Sequence, residues 1–188
     1  MNLPNRLTIA RVCLIPFFVA ALQIGMAADF GFSLDVGRYI AVGIFVAAAA
    51  TDWLDGFLAR KMNLVTDFGK FMDPLADKIL VMAAMVYMVV LGDIGAWVLI
   101  LIESREFIIA GVRMVAANKN VVIAAGLWGK LKTVAQMIMI PIVLLNIQNN
   151  AMQIIGQTLV FVAVGLTIIS AADYIWHNRK VFQGEMSA

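Results

Sequence analysis

Six long runs of apolar residues follow one another along the chain, and short polar segments separate them. The runs cover roughly residues 7–24, 38–58, 74–91, 94–116, 128–147 and 154–177. A helix needs about 20 apolar residues to cross the hydrocarbon core of a bilayer, and each run approaches that length. The pattern predicts an all-α integral membrane protein with six transmembrane helices, in which residues 1–188 form a single membrane domain.

The first run could also be the apolar part of a signal peptide. Arg6 and Arg11 precede or enter it, and the small residues Gly25 and Ala27 follow. An arginine inside that part would be unusual, and five further runs make a cleaved signal unnecessary. We therefore interpret the run as the first transmembrane helix.

The composition does not fit an ordinary soluble domain. Of 188 residues, 63% are hydrophobic and only 14% are charged, whereas average soluble domains have about 25% charged residues. The mean hydropathy is +0.93. The formal net charge of +2 is too small to indicate a nucleic-acid partner. The single cysteine, Cys13, excludes an intrachain disulfide framework.

The basic residues are distributed unevenly between the two ends of the predicted helices. Thirteen of the fourteen Lys and Arg residues lie at the termini, in the 2–3 and 4–5 links, or in helix segments beside them, and only Arg38 lies on the other side. Cytoplasmic segments of membrane proteins carry an excess of Lys and Arg. We expect both termini and both basic links to be cytoplasmic.

Four aspartates lie where the second run ends and the third begins. The segments read AAAATDWLDGFLARK and NLVTDFGKFMDPLADKI, and the acids are Asp52, Asp55, Asp73 and Asp77. An aspartate at the centre of a spanning helix costs about 2.5–3.5 kcal/mol on insertion scales, so such residues usually have a function. Four of them together suggest that a cation compensates their charge.

Helical geometry places these acids on two faces. At about 100° per residue, Asp52 and Asp55 share an arc with Gly56 and Ala59. Gly69, Asp73 and Asp77 follow an i, i+4, i+8 spacing on the next helix. Pro74 must lie in the first turn of that helix or kink it, and the spacing does not distinguish these two options.

Carboxylates without a neighbouring histidine or thiolate form a hard-oxygen site. Such a site suits Mg²⁺, Mn²⁺ or Ca²⁺ rather than zinc. Two ions are plausible, because paired ions commonly assist displacement at phosphorus. A structural cluster and a cation-transport site are the alternatives. Acids at one end of the helices, rather than through the whole membrane depth, favour an enzyme over a transporter.

The segment from Asp52 to Asp77 reads D-x2-D-G-x2-A-R-x8-G-x3-D-x3-D. It resembles the signature of the CDP-alcohol phosphatidyltransferase family, with every fixed position filled. The resemblance implies six transmembrane helices, a homodimer in membrane lipid, and a polar cavity open to the cytoplasm. It also implies two Mg²⁺ or Mn²⁺ ions.

The resemblance implies a role for each matching residue. Asp52, Asp55 and Asp73 would be metal ligands, and Asp77 would be both a ligand and the general base. Further contacts with CDP-diacylglycerol would come from Asn5, Thr8, Asp52, Gly56, Arg60 and Thr66, with Arg11 beside the first two. Gly56 would allow close approach, and Arg60 would supply a fixed cation beside a diphosphate.

Outside the signature, NLPNRLTIARVCLIP, ESREFIIAGVR and GLWGKLKT resemble the bacterial branch of this family that uses glycerol 3-phosphate. The expected reaction gives phosphatidylglycerophosphate and CMP, at the cytoplasmic side of the bacterial cell membrane. Another acceptor, such as inositol phosphate or serine, remains an alternative.

The acceptor's phosphate calls for fixed cations. We predict that Arg105, Arg113 and Lys130 bind it. Arg105 could instead form a buried pair with Glu103 or Glu106. For Lys130 and Lys132 the alternative is interfacial snorkelling toward anionic lipid.

Overall fold

The structure is a computed structural model that describes the backbone of residues 3–27, 33–62, 67–118 and 126–177, and the side chains of 9–27, 33–51, 75–76, 78–116 and 126–177. Its helices are α1 (Leu3–Ala27), α2 (Leu34–Met62), α3 (Asp67–Val90), α4 (Ala96–Asn118), α5 (Leu127–Leu145) and α6 (Asn150–His177). Each contains nearly all of one predicted apolar run. The prediction of an all-α chain with six helices is confirmed within these described ranges.

Four stretches of helix are long and apolar enough to cross a membrane. They are Ile9–Ala27, Leu34–Thr51, Leu127–Leu145 and Asn150–His177. The remaining two helices differ for separate reasons: the described apolar part of α3 is the shorter stretch Lys78–Val90, and α4 contains four charged residues. These findings support a membrane protein, and the number of spans stays a prediction.

The outer faces of the helices suit lipid better than water. Large apolar side chains such as Phe161 and Trp176 on α6 and Phe107 on α4 are about two-thirds exposed. Soluble monomers rarely expose large contiguous apolar surfaces. A bilayer would cover these side chains without cost.

The described residues group into two compact units. The first contains α1, α2, α3 and the end of α5 from Ile140, with α1 packed along α2 and also touching α3. Its core includes fully buried side chains from α1 and α2, among them Phe18, Leu22 and Phe45.

Two glycines allow α1 and α2 to approach closely. A Cβ atom added to Gly37 would lie 2.6 Å from the backbone oxygen of Ala21, and one added to Gly25 would lie 3.3 Å from the Cα of Gly37. Real Cβ atoms do not come as close as the contact at Gly37, and they rarely come as close as the one at Gly25. Small residues at this crossing therefore permit backbone contact, which is a common way to pack helices in membranes.

Two helix ends in the first unit are capped by local hydrogen bonds. The Ser33 hydroxyl accepts from the Val36 N–H at the start of α2, as an N-cap serine does. After α3, Gly92 has a φ of 77°. The Asp93 N–H donates to the Met88 carbonyl and the Gly92 N–H to the Val89 carbonyl, which together form a Schellman motif.

Arg38 joins three helix ends of the first unit. Its guanidinium donates to both carboxylate oxygens of Asp93, at 2.7 and 3.0 Å, and to the Leu144 carbonyl at 2.8 Å. Arg38 is 3% exposed. The one cation on the predicted outer side is therefore held in a buried bidentate ion pair.

The second unit contains α4, the first part of α5 and α6, with α4 in contact with α6. Its core has an apolar part and a polar part. Val98 and Ile102 on α4 are buried apolar residues. Buried polar side chains are Lys132, Gln136, Thr167 and Ser170. Polar groups at this depth usually mark a functional region, and they lead to the site described next.

Candidate active site

The four aspartates of the signature lie on two helices joined by a short link. The backbone places Asp52 and Asp55 in the last three turns of α2, and Asp73 and Asp77 within α3. Their side chains lie outside the described residues. The predicted metal ligands and the predicted base are therefore located by element, and their roles stay predictions.

The helical backbone of α3 is continuous through the acidic positions. Gly69, Asp73 and Asp77 all belong to it, which the shared-face argument requires. Because α3 begins at Asp67, Pro74 lies beyond the first turn. Of the two options for Pro74, the first-turn position is therefore wrong.

The residues predicted to contact the nucleotide lie in the same unit. Gly56 and Arg60 are on α2, and Asn5 and Thr8 are on α1, each described by its backbone only. Thr66 lies outside the described residues. On α1 the following arginine, Arg11, is described with its side chain and is buried.

The chemistry of the aspartates fits a divalent metal. Carboxylate oxygens are the ligands that Mg²⁺ and Mn²⁺ prefer, and the segment that bears them contains no His or Cys. Among the described side chains, no group of three or more His, Cys, Asp and Glu residues converges. The aspartates therefore remain the metal candidates.

Arg105 lies in a polar cluster of the second unit. Its Nη1 donates to Glu106 Oε1 at 2.9 Å, and its Nη2 donates to the Ser170 hydroxyl on α6. The Arg105 side chain is 12% exposed. The pairing with Glu106, foreseen as the alternative for Arg105, is present. It does not exclude a phosphate contact, because a guanidinium carries five N–H donors.

Lys132 completes the cluster from α5. Its ammonium donates to the same oxygen, Glu106 Oε1, at 2.5 Å, and the residue is 1% exposed. Such burial is contrary to snorkelling toward lipid. Gly129, one turn earlier on α5, lies beside this arginine, and a Cβ added to it would be in ordinary van der Waals contact with Arg105 Nη2, at 3.5 Å.

The other two predicted phosphate ligands lie at more open positions. The Arg113 guanidinium lies over the Tyr174 ring, 5.9 Å from its centre, and Arg113 and Lys130 are both exposed. Within the described residues, Arg105 and Lys132 are thus linked through Glu106. Lys130 lies on an exposed face instead.

Sequence reasoning missed two contributors to this cluster, Lys132 and Ser170, and also the Tyr174 ring that contacts Arg113. Lys132 was treated only as a surface lysine, and Ser170 and Tyr174 had no predicted role. A small polar serine within the apolar α6 was the available signal. Its importance depends on α4 being the neighbour, which a single sequence does not reveal.

Comparison with known proteins defines the class. The sequence profile of the family described as CDP-alcohol phosphatidyltransferase matches residues 1–169. The chain therefore belongs to the CDP-alcohol phosphatidyltransferase family, and the prediction made from the aspartate signature is confirmed. Enzymes of this family use divalent metal ions.

Individual relatives agree on one activity. A protein of Bacillus subtilis is 41% identical over 97% of each chain. One from Haemophilus influenzae is 41% identical over 93% of this chain and 91% of its own. One from Rickettsia felis is 34% identical over 96% of this chain and 97% of its own. All three are named CDP-diacylglycerol–glycerol-3-phosphate 3-phosphatidyltransferase.

Proposed function

We propose that this chain transfers the phosphatidyl group of CDP-diacylglycerol to sn-glycerol 3-phosphate, with residues 1–188 as one catalytic domain. The observation that carries the proposal is the complete aspartate signature on α2 and α3. It lies in a chain that matches relatives of this activity along nearly its whole length. The products are phosphatidylglycerophosphate and CMP.

The four aspartates would hold two Mg²⁺ or Mn²⁺ ions. Bound there, the ions would neutralise the diphosphate and stabilise the attacking and leaving oxygens. Gly56 would let the nucleotide approach the α2 backbone, and Arg60 would add a fixed positive charge near the diphosphate. Asn5, Thr8 and Thr66 would complete the nucleotide contacts.

The reaction is one displacement at phosphorus. The primary hydroxyl oxygen of the acceptor bonds to the lipid-side phosphorus, the bond from that phosphorus to the CMP oxygen breaks, and CMP leaves. Asp77 would receive the hydroxyl proton. General base catalysis of this kind contributes about 10²–10⁴-fold to a rate.

Arg105, Arg113 and Lys130 would bind the acceptor's phosphate. Arginine suits this task because its planar fork of donors matches phosphate oxygens. Two features of the second unit support this binding role. Arg113 is exposed, and its guanidinium lies over the Tyr174 ring. The buried Nε of Arg105 has no acceptor among the described residues.

The membrane setting follows from the apolar helices and the charge pattern. We propose six spans, both termini in the cytoplasm, and a polar cavity open to the cytoplasm in the bacterial cell membrane. Lipid would enter from the bilayer, and the acceptor and CMP would exchange with the cytosol. A homodimer is the proposed assembly, and nucleic acid is no partner.

The proposal is tested by supplying purified protein with CDP-diacylglycerol, Mg²⁺ or Mn²⁺ and a panel of acceptors. We expect release of CMP with glycerol 3-phosphate and little with inositol phosphate or serine. Preference for another acceptor would assign the chain to a sister activity of the family. Metal flux into vesicles without lipid turnover would indicate a transporter instead.

Asparagine variants separate the aspartate roles in the same assay. Asp52→Asn, Asp55→Asn and Asp73→Asn should weaken both metal affinity and activity, because each keeps an oxygen but loses a charge. Asp77→Asn should lose kcat while still binding CDP-diacylglycerol. Recovery of its activity at high Mn²⁺ would make Asp77 chiefly a ligand and defeat its assignment as the base. Chelation of the metal should abolish turnover in every variant.

A further inference from the structure

One carboxylate oxygen in the second unit is shared by two cations. Glu106 Oε1 accepts from Arg105 Nη1 at 2.9 Å and from Lys132 Nζ at 2.5 Å. Because both nitrogens bond to the same oxygen, the distance between them cannot exceed the sum of these two hydrogen-bond lengths. Their charges repel at such a distance in a poorly solvated setting, so the arrangement depends on the glutamate.

Burial shows that Lys132 needs a counter-ion. Its side chain is 2% exposed, whereas that of Glu106 is 23% exposed. An ammonium can be buried this deeply only with a charged partner or strong acceptors. Glu106, Arg105 and Lys132 together carry one net positive charge, and the nearby Glu103 offsets it in part. An anion is therefore attracted chiefly by N–H groups that the cluster leaves open, such as the buried Nε of Arg105, which has no acceptor among the described residues.

Arg105 is fixed from both sides, which leaves it little freedom to reorient. Glu106 holds Nη1, and Ser170 on α6 holds Nη2. A pre-ordered arginine loses less entropy when it binds phosphate than a mobile one. The residue that orders the cations thus contributes to anion affinity without touching the anion.

We infer that Glu106 is a positioning residue for the acceptor's phosphate: its shared oxygen holds Arg105 and Lys132 together, so that α4 and α5 present them as one anion-binding cluster. The inference rests on the proposed function, since the anion is the phosphate of glycerol 3-phosphate. Glu106 itself repels that anion and acts only through its two cations.

The test compares kinetics and direct binding in the full-length protein. Glu106→Gln should raise the acceptor KM about tenfold, because the charge-assisted bonds that order the cations are lost. The KM for CDP-diacylglycerol should stay within about twofold. In an Arg105→Gln background the same change should have little further effect, because coupled residues are not additive. Asp173→Asn, which removes an acid that pairs with His177 on α6, is the matched control and should leave both KM values unchanged.

Calorimetric titration with glycerol 3-phosphate separates failure of the inference from failure of the proposed function. Weaker binding by Glu106→Gln, with binding intact in Asp173→Asn, supports the positioning role even if turnover uses another acceptor. A lower melting temperature with an unchanged acceptor KM and affinity would make Glu106 purely structural and overturn it. If Glu106→Gln does not fold, Glu106→Asp takes its place, because it keeps the charge but has a shorter reach. An unchanged affinity of Glu106→Asp for glycerol 3-phosphate would equally contradict the positioning role.

Discussion

Arg38 and Lys132 are both almost completely buried, yet both carry a positive charge. Each has a carboxylate partner supplied by another segment: Asp93 after α3 for Arg38, and Glu106 on α4 for Lys132. Breaking a buried pair by removing one partner is strongly destabilising, because the remaining charge has lost its water and its counter-ion. At the scale of single residues, we therefore expect the stability of the protein to be sensitive to substitution of either partner in these two buried ion pairs.

Asp93→Asn should destabilise the protein by about 3–5 kcal/mol, since it leaves the buried Arg38 with only the Leu144 carbonyl and a neutral amide. Chemical or thermal unfolding in detergent micelles measures the loss. Asp35→Asn is the matched control, because Asp35 lies in the first turn of the same helix as Arg38 and is exposed. Equal losses in the free energy of unfolding would show that the buried Arg38–Asp93 pair stabilises the protein no more than an exposed aspartate does.

Where α1 and α2 approach each other at Gly37, their packing depends on backbone contact. At Gly37 the neighbouring atom is the backbone oxygen of Ala21, which cannot rotate away as a side chain could. Gly43, two turns later on the same helix, has no atom within 4 Å of an added Cβ. A side chain would therefore clash at Gly37 and be accommodated at Gly43.

Gly37→Ala should lower stability by about 1–3 kcal/mol, because the added methyl group forces the helices apart. Gly43→Ala should be neutral or stabilising by up to about 1 kcal/mol, because alanine is the better helix former. Melting temperatures of both variants in one detergent give the comparison. A stable Gly37→Ala variant would mean that α1 and α2 can separate without cost.

For the molecule as a whole, the distribution of basic residues predicts which side faces the cytoplasm. By this prediction the basic links lie on one side, and Arg38, the exception, forms an ion pair with Asp93. The proposed metal site and the proposed phosphate cluster both depend on this orientation for access to soluble acceptor.

In a Cys13→Ala background, Lys61→Cys should react with a membrane-impermeant thiol reagent only after the cytoplasmic side is exposed. Gln148→Cys, in the exposed turn between α5 and α6, should react from outside in intact cells. Labelling of Lys61→Cys from outside would contradict the cytoplasmic site and every proposal that depends on it.

The order of the six described helices and the family could be derived from the sequence because they depend on local properties. Apolar length determines whether a segment can form a long membrane helix, and the aspartate signature is a short pattern with fixed spacing. The prediction of six helices is confirmed within the described residues, and the family match confirms the prediction made from the signature. That Arg38 lies on the opposite side from the other basic residues stays a prediction.

The pairing of the charges was decided only by tertiary structure. Lys130 and Lys132 are two residues apart and point about 200° away from each other on α5, so only a knowledge of the neighbouring helix tells which one is buried. Arg105 had two candidate acids nearby, and the position of Ser170 on α6 and Lys132 on α5 determined its surroundings. Spacing along a helix gives the direction of a side chain, but the partner that it meets belongs to another helix.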